Sequence, residues 1–116
     1  MKITMICAVR NASPERVAEM RLYAEKLRAE GYEVHYPPDD APQDDPTGEA
    51  ICRAHFDAMK NADEVHVIWD VDSKGSHFDL GMAYALGIKI VPVACEKPDG
   101  PEKSYWKVIC ASASRK

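Results

Sequence analysis

The chain lacks a C-x-x-C pair among its four cysteines (Cys7, Cys52, Cys95 and Cys110), and no Cys/His cluster shows zinc-like spacing. It also lacks both G-x-G-x-x-G and G-x-x-x-x-G-K-[ST]. These gaps count against a zinc site, a dinucleotide fingerprint and a P-loop, and neither a metal nor a cofactor is expected. His55, His66 and His77 recur at every eleventh position, but they read as lying on a helix, a strand and a loop, so the rhythm is taken as chance. No apolar stretch approaches the ~18 residues of a membrane span, and Met1–Arg10 is too short and too polar at its edges for a secretory signal. A cytoplasmic protein with reduced thiols and no membrane contact is the expectation. Positive charge is also short: the formal net charge of −4 argues against a nucleic-acid polymer as partner, though not against one bound nucleotide.

What is present suits one globular domain over residues 1–116, with 46% hydrophobic and 29% charged residues. Ile3–Val9 is a β-branched apolar run that reads as a strand buried on both faces. Ser13-Pro14-Glu15 then gives a cap, a proline at the first helical position and an acid in the first turn. Val17, Met20, Ala24 and Leu27 mark the inward face of that helix, and Gly31 ends it. Tyr32–Tyr36 alternates as a second strand. Pro37–Pro46, with four prolines and four aspartates, reads as a long loop, either a binding lid or a solvated connection. Asp45-Pro46 repeats the cap-then-proline signature and opens a helix to about Asn61, with Ile51, Ala54, Ala58 and Ala62 inward.

Glu64–Trp69 is a third strand, Asp70–Ser76 a loop, and Phe78–Leu86 a helix closed by Gly87. Ile88–Ala94 is a fourth strand whose Pro92 calls for a sheet edge or a bulge. Ser104–Cys110 reads as a fifth. Alternating strands and helices with short connections imply a doubly wound parallel sheet, an α/β flavodoxin-like (Rossmann-like) fold with strand order 2-1-3-4-5. Its ligand site belongs at the carboxyl ends of strands one and three, where the winding reverses.

The loop leaving strand one offers Arg10 and Asn11 ahead of a helix N-terminus, a suitable cradle for a phosphate or carboxylate. The loop leaving strand three carries Asp70, Asp72, Ser73, Gly75, Ser76, His77 and Asp79. Gly75 permits a tight turn there, and Gly81 a close approach of helix to sheet. Ser76-x-x-Asp79 has capping-box spacing, so Asp79 serves either as a cap or as an ionised carboxylate aimed at an anomeric carbon.

The run from Ser73 to Lys89 resembles the nucleoside 2-deoxyribosyltransferase family and its relatives, the nucleoside 5′-monophosphate N-glycosidases. Those proteins carry D/S-x-G-x-x-x-E-[LI]-G-x-A-x-A-x-G-[KI] after the third strand. This chain has Ser73, Gly75, Asp79, Leu80, Gly81, Ala83, Ala85 and Gly87 at the corresponding places, preceded by Ala62-Asp63-Glu64-Val65, like the family's A-D-x-V. The resemblance implies that Asp79 is the nucleophile, that Ser73 and Gly75 bind substrate, and that Arg10 meets a 5′-phosphate. It further implies that Asp70 or Asp72 addresses the sugar or base, and His77 is a candidate proton donor to the departing base. Two departures stand out: Asp79 replaces the family's Glu, and Cys7 and Ala8 stand where the transferases place a tyrosine.

The activity implied is cleavage or transfer at the N-glycosidic bond of a small-molecule nucleoside or nucleotide, by a homo-oligomer. A non-catalytic nucleotide or nucleotide-sugar sensor is the alternative, because Asp79 is one methylene shorter than Glu. A receiver-like or flavodoxin-like binder fits less well. The loop after strand one has no acids for the first and few of the Ser, Thr or Gly residues that a flavin phosphate needs.

Overall fold

The computed structural model describes residues 1–8, 12–40, 46–95 and 101–113. Strands β1 (Lys2–Ile6), β2 (Glu33–His35), β3 (Glu64–Trp69) and β4 (Lys89–Cys95) form one sheet in the order β2-β1-β3-β4. Every pairing is parallel. Helices α1 (Pro14–Ala29), α2 (Pro37–Asp40), α3 (Glu49–Lys60), α4 (Lys74–Leu86) and α5 (Tyr105–Ala113) connect and flank it. The α/β doubly wound architecture is therefore as the sequence implied.

Two cores sandwich the sheet. On one face, Ile6, Val65, Val67, Trp69 and Ile90 meet Met59 of α3, Leu80 and Ala83 of α4, and Ile109 of α5. On the other, Met5, Cys7 and Ile68 meet Met20 and Ala24 of α1, with Tyr36. Helix α1 thus faces three helices across the sheet. It starts where expected: Ser13 Oγ accepts from Arg16 N, and Gly31 just beyond its end takes φ +96°. Met20, Ala24 and Leu27 are buried, whereas Val17 is exposed. Pro92 lies in β4, which forms one edge of the sheet among the described residues. The register slips beside it, with Val67 opposite Pro92 and Ile68 opposite Ala94. A residue without an N–H is tolerated at such a place.

Several expectations are corrected. No fifth strand occurs among the described residues, because Ser104–Cys110 enters helix α5. Ser104 Oγ accepts from Lys107 N at 3.2 Å, an N-cap bond. Trp106 and Ile109, three apart, then pack on the core, so a helical stripe was hidden in a β-branched and aromatic run. Pro37–Asp40 is a short helix rather than loop: Asp39 N and Asp40 N both donate to Tyr36 O, and Tyr36 N donates to Asp40 Oδ2 at 2.8 Å. Helix α3 begins at Glu49 behind Gly48 (φ +83°), and the expected cap Asp45 lies outside the described residues.

The inward residues of α3 are His55 and Met59, one position round from the expected Ile51, Ala54, Ala58 and Ala62 stripe, which is only half-buried. Gly81 is exposed, and a Cβ there would meet nothing within 4 Å, so it does not mediate a close helix–sheet approach.

Candidate functional site

Helix α4 starts four residues earlier than its apolar pattern suggests, and this changes what each loop residue does. Ser73 is the N-cap: its Oγ accepts from Ser76 N at 3.2 Å and donates its proton to Ser76 Oγ at 2.9 Å. Asp70 ends β3 with a turn, Oδ1 accepting from Asp72 N at 2.9 Å and its carbonyl from Ser73 N at 3.0 Å. Asp72 is exposed. Gly75 lies inside the first helical turn with open space around its Cα. His77 is on the helix rather than in a loop, and Asp79 falls in the second turn, so Ser76-x-x-Asp79 is not the capping box.

Asp79 is 5% exposed and Ser76 is also buried. A buried carboxylate needs a partner, and Asp79 Oδ2 has His55 Nδ1 at 3.0 Å. A carboxylate oxygen accepts, so Nδ1 is the donor of this bond. Neither partner comes from the sheet: α4 supplies the acid and α3 the imidazole. His55 is 7% exposed and its Nε2 is buried with no hydrogen-bond partner. Its ring meets the ring of His35, at the end of β2, edge-on at 5.7 Å between centroids. Burial, then the neighbouring His55, lower the pKa of His35 below the ordinary 6.5.

Cys7, just past β1, completes the group. Burial pushes its thiol up to about 12, with the negative charge of Asp79 adding to the rise. A thiol held protonated in this way is a poor nucleophile. The Asp79 contribution to that rise sets its carboxylate near the carboxyl end of β1, the switch point of the winding.

His77 faces elsewhere. Residues two apart on a helix point to opposite sides, so the structure does not bring His77 and Asp79 together. Its Nδ1 donates to the Ser73 carbonyl at 2.7 Å, and its ring packs on Trp69 (4.7 Å) and Tyr105 (5.3 Å). These rings, with Val71, Lys103, Ser104 and Val108, line an open cavity of about 550 Å³. Arg10 and Asn11 lie outside the described residues.

Among the described residues no group of three His, Cys, Asp or Glu is placed to hold a metal ion. None of their helices is long and apolar enough to cross a membrane. Sequence reasoning missed His55 as a site residue; Cys52, His55 and Met59 do repeat at helical spacing, but next to an equally regular alanine stripe.

A parallel sheet reversing between β1 and β3, with a buried carboxylate on the helix after β3, defines the class of protein. The nucleoside 2-deoxyribosyltransferase family model matches residues 7–101, and the chain belongs to that family. No curated protein sequence matches it. Among solved structures, the CMP N-glycosidase BcmB of Clostridium botulinum is similar in fold, with a TM-score of 0.63 at 20% identity, covering 97% of this chain and 83% of that one.

Proposed function

We propose that the protein cleaves, or transfers across, the N-glycosidic bond of a nucleoside or nucleoside 5′-monophosphate, with Asp79 as nucleophile. The observation that carries this is the placement of Asp79: a buried carboxylate in the second turn of α4, beyond β3, inside the segment matched to the family. Oδ2 is bonded to His55, and among the described residues Oδ1 accepts no hydrogen bond.

Oδ1 forms a bond to C1′ as the C1′–N bond breaks, and the base leaves with the bonding pair and takes a proton from solvent. Water then attacks C1′, the pair returns to Asp79, and a proton returns to solvent, so one water is consumed per bond cleaved. A second base in place of water gives transfer. Arg10 and Asn11 are assigned to the 5′-phosphate, Asp70, Asp72, Ser73 and Gly75 to the rim nearest the sugar, and buried Ser76 to the floor beneath it. The orientation of His77 suits the wall of the aromatic cavity better than proton donation beside Asp79.

The test is chromatographic detection of free base from a panel of ribo- and deoxyribonucleosides and their 5′-monophosphates. Wild type releases base, and Asp79→Asn loses at least about a hundredfold in rate. Undiminished release by Asp79→Asn would remove the carboxylate from the reaction. The depth of Asp79 favours one other reading, a nucleotide sensor. In that case nucleoside monophosphates raise the melting temperature while no base appears.

A further inference from the structure

We infer that His55 is a positioning residue for Asp79, holding the carboxylate so that Oδ1 alone is presented for attack. This rests on the nucleophilic role proposed for Asp79. Three observations converge on it. The Nδ1–Oδ2 contact of 3.0 Å is the hydrogen bond that Asp79 makes among the described residues. Both side chains are almost wholly enclosed, at 9% and 8% exposed, so the bond is little weakened by competing water. The remaining ring nitrogen, Nε2, is buried and unpartnered, with the His35 ring set edge-on to the imidazole.

That last point separates positioning from proton transfer. A general acid or base must reach the reacting group with a free nitrogen, and here the free nitrogen is closed off from solvent. Packing does not explain the residue either. A leucine would fill an inward position of α3 without burying an unpartnered ring nitrogen, but it would leave Asp79 Oδ2 without its donor, so the bond to Asp79 is what gives an imidazole a use there.

The chemistry is direct. With Oδ2 held, rotation of the carboxylate is restricted and Oδ1 keeps one direction of approach to C1′. When water displaces the sugar, charge returns to the carboxylate, and a donor already on Oδ2 strengthens as it does. The fixed direction favours attack and the donor favours departure, while substrate binding is left alone because His55, 7% exposed, is enclosed between α3 and α4.

The experiment compares wild type, Asp79→Asn, His55→Leu, His55→Asn and His55→Gln by kcat, KM and melting temperature. The side-chain amide nitrogen of asparagine falls near the place of Nδ1, and that of glutamine near Nε2. Expected are a fall in kcat of about tenfold or more in His55→Leu with KM within about twofold, and recovery of most of it in His55→Asn but not in His55→Gln. A role confined to folding moves the melting temperature and leaves kcat per folded molecule unchanged. That result in His55→Leu, alongside an inactive Asp79→Asn, overturns the inference alone. Should His55→Leu not fold, equal kcat in the Asn and Gln variants overturns it just as well. An Asp79→Asn variant as active as wild type, or a wild type releasing no base, overturns the underlying role of Asp79 and this inference with it.

Discussion

Asp79 and Cys7 lie close enough for the charge of one to oppose ionisation of the other, which gives a chemical probe of the site's charge state. Burial is the larger cause of the rise of the Cys7 thiol from 9.0 to about 12, and Asp79 the smaller. Asp79→Asn should therefore lower the Cys7 pKa without returning it to 9.0. In a pH series of alkylation read by mass spectrometry, exposed Cys110 is labelled first and Cys7 last, with the Cys7 profile displaced to lower pH in the variant. An unchanged profile would mean that Asp79 has no part in the rise of the Cys7 thiol. Asp79 itself was legible because it sits within a long motif, Ser73 to Lys89. His55 was not: two stripes on α3 differ by one position, or 100° round the helix, and spacing cannot say which of them faces inward.

The elements around the site are held by bonds that the strand and helix pattern does not announce. Helix α2 is clamped to α1 by two arginines: Arg21 reaches both carboxylate oxygens of Asp39 (3.2 and 3.3 Å). Arg28 reaches Asp40 at 2.8 Å and the Val34 carbonyl at 2.9 Å. These arginines are partly exposed, so each pair contributes little by charge alone, and the carbonyl bond adds to the second. Arg28→Ala should cost about 1 kcal/mol and lower the melting temperature by roughly 4 °C. A change within error would show that α2 holds its place without the clamp. The proline-rich composition of Pro37–Pro46 concealed α2, since proline is tolerated in a first helical turn and the rest of the turn is closed by Asp40. At the other end of the chain the Ser104 cap decides α5 against strand propensity. Ser104→Ala should destabilise by about 1 kcal/mol, read as a lower urea midpoint with an unchanged slope. A midpoint that does not move would make the packing of Trp106 and Ile109 sufficient by itself.

At the scale of the molecule, the alternation of strands and helices was enough to imply a parallel sheet reversing between β1 and β3. The division of one helix against three across that sheet became visible only with the two cores. Titrating groups in and beside those layers set a pH window for the whole fold. His35 has a folded-state pKa below 6.5, so on acidification the unfolded chain takes up that proton first, and stability declines below about 6.5. Glu64 at the start of β3 is lowered below 4.5, first by its hydrogen bond with His66 and also by Lys89, against its own desolvation. Its contribution is present above 4.5 and is lost as the pH falls through the folded value. On the alkaline side the Cys7 thiol, at about 12 when folded, ionises first in the unfolded chain, so stability falls from pH 9.0 upward. The difference of about 3 units corresponds to a loss on the order of 4 kcal/mol by pH 12. Tyr23 and Tyr36, raised above 10.0 mainly by burial, add to that loss above pH 10. Urea midpoints measured across pH should therefore form a plateau between about 6.5 and 9 and fall on both sides. Glu64→Gln should flatten the acid limb below 4.5, and Cys7→Ala the alkaline one. Limbs that persist unaltered in both variants would place the controlling charges on groups other than Glu64 and Cys7.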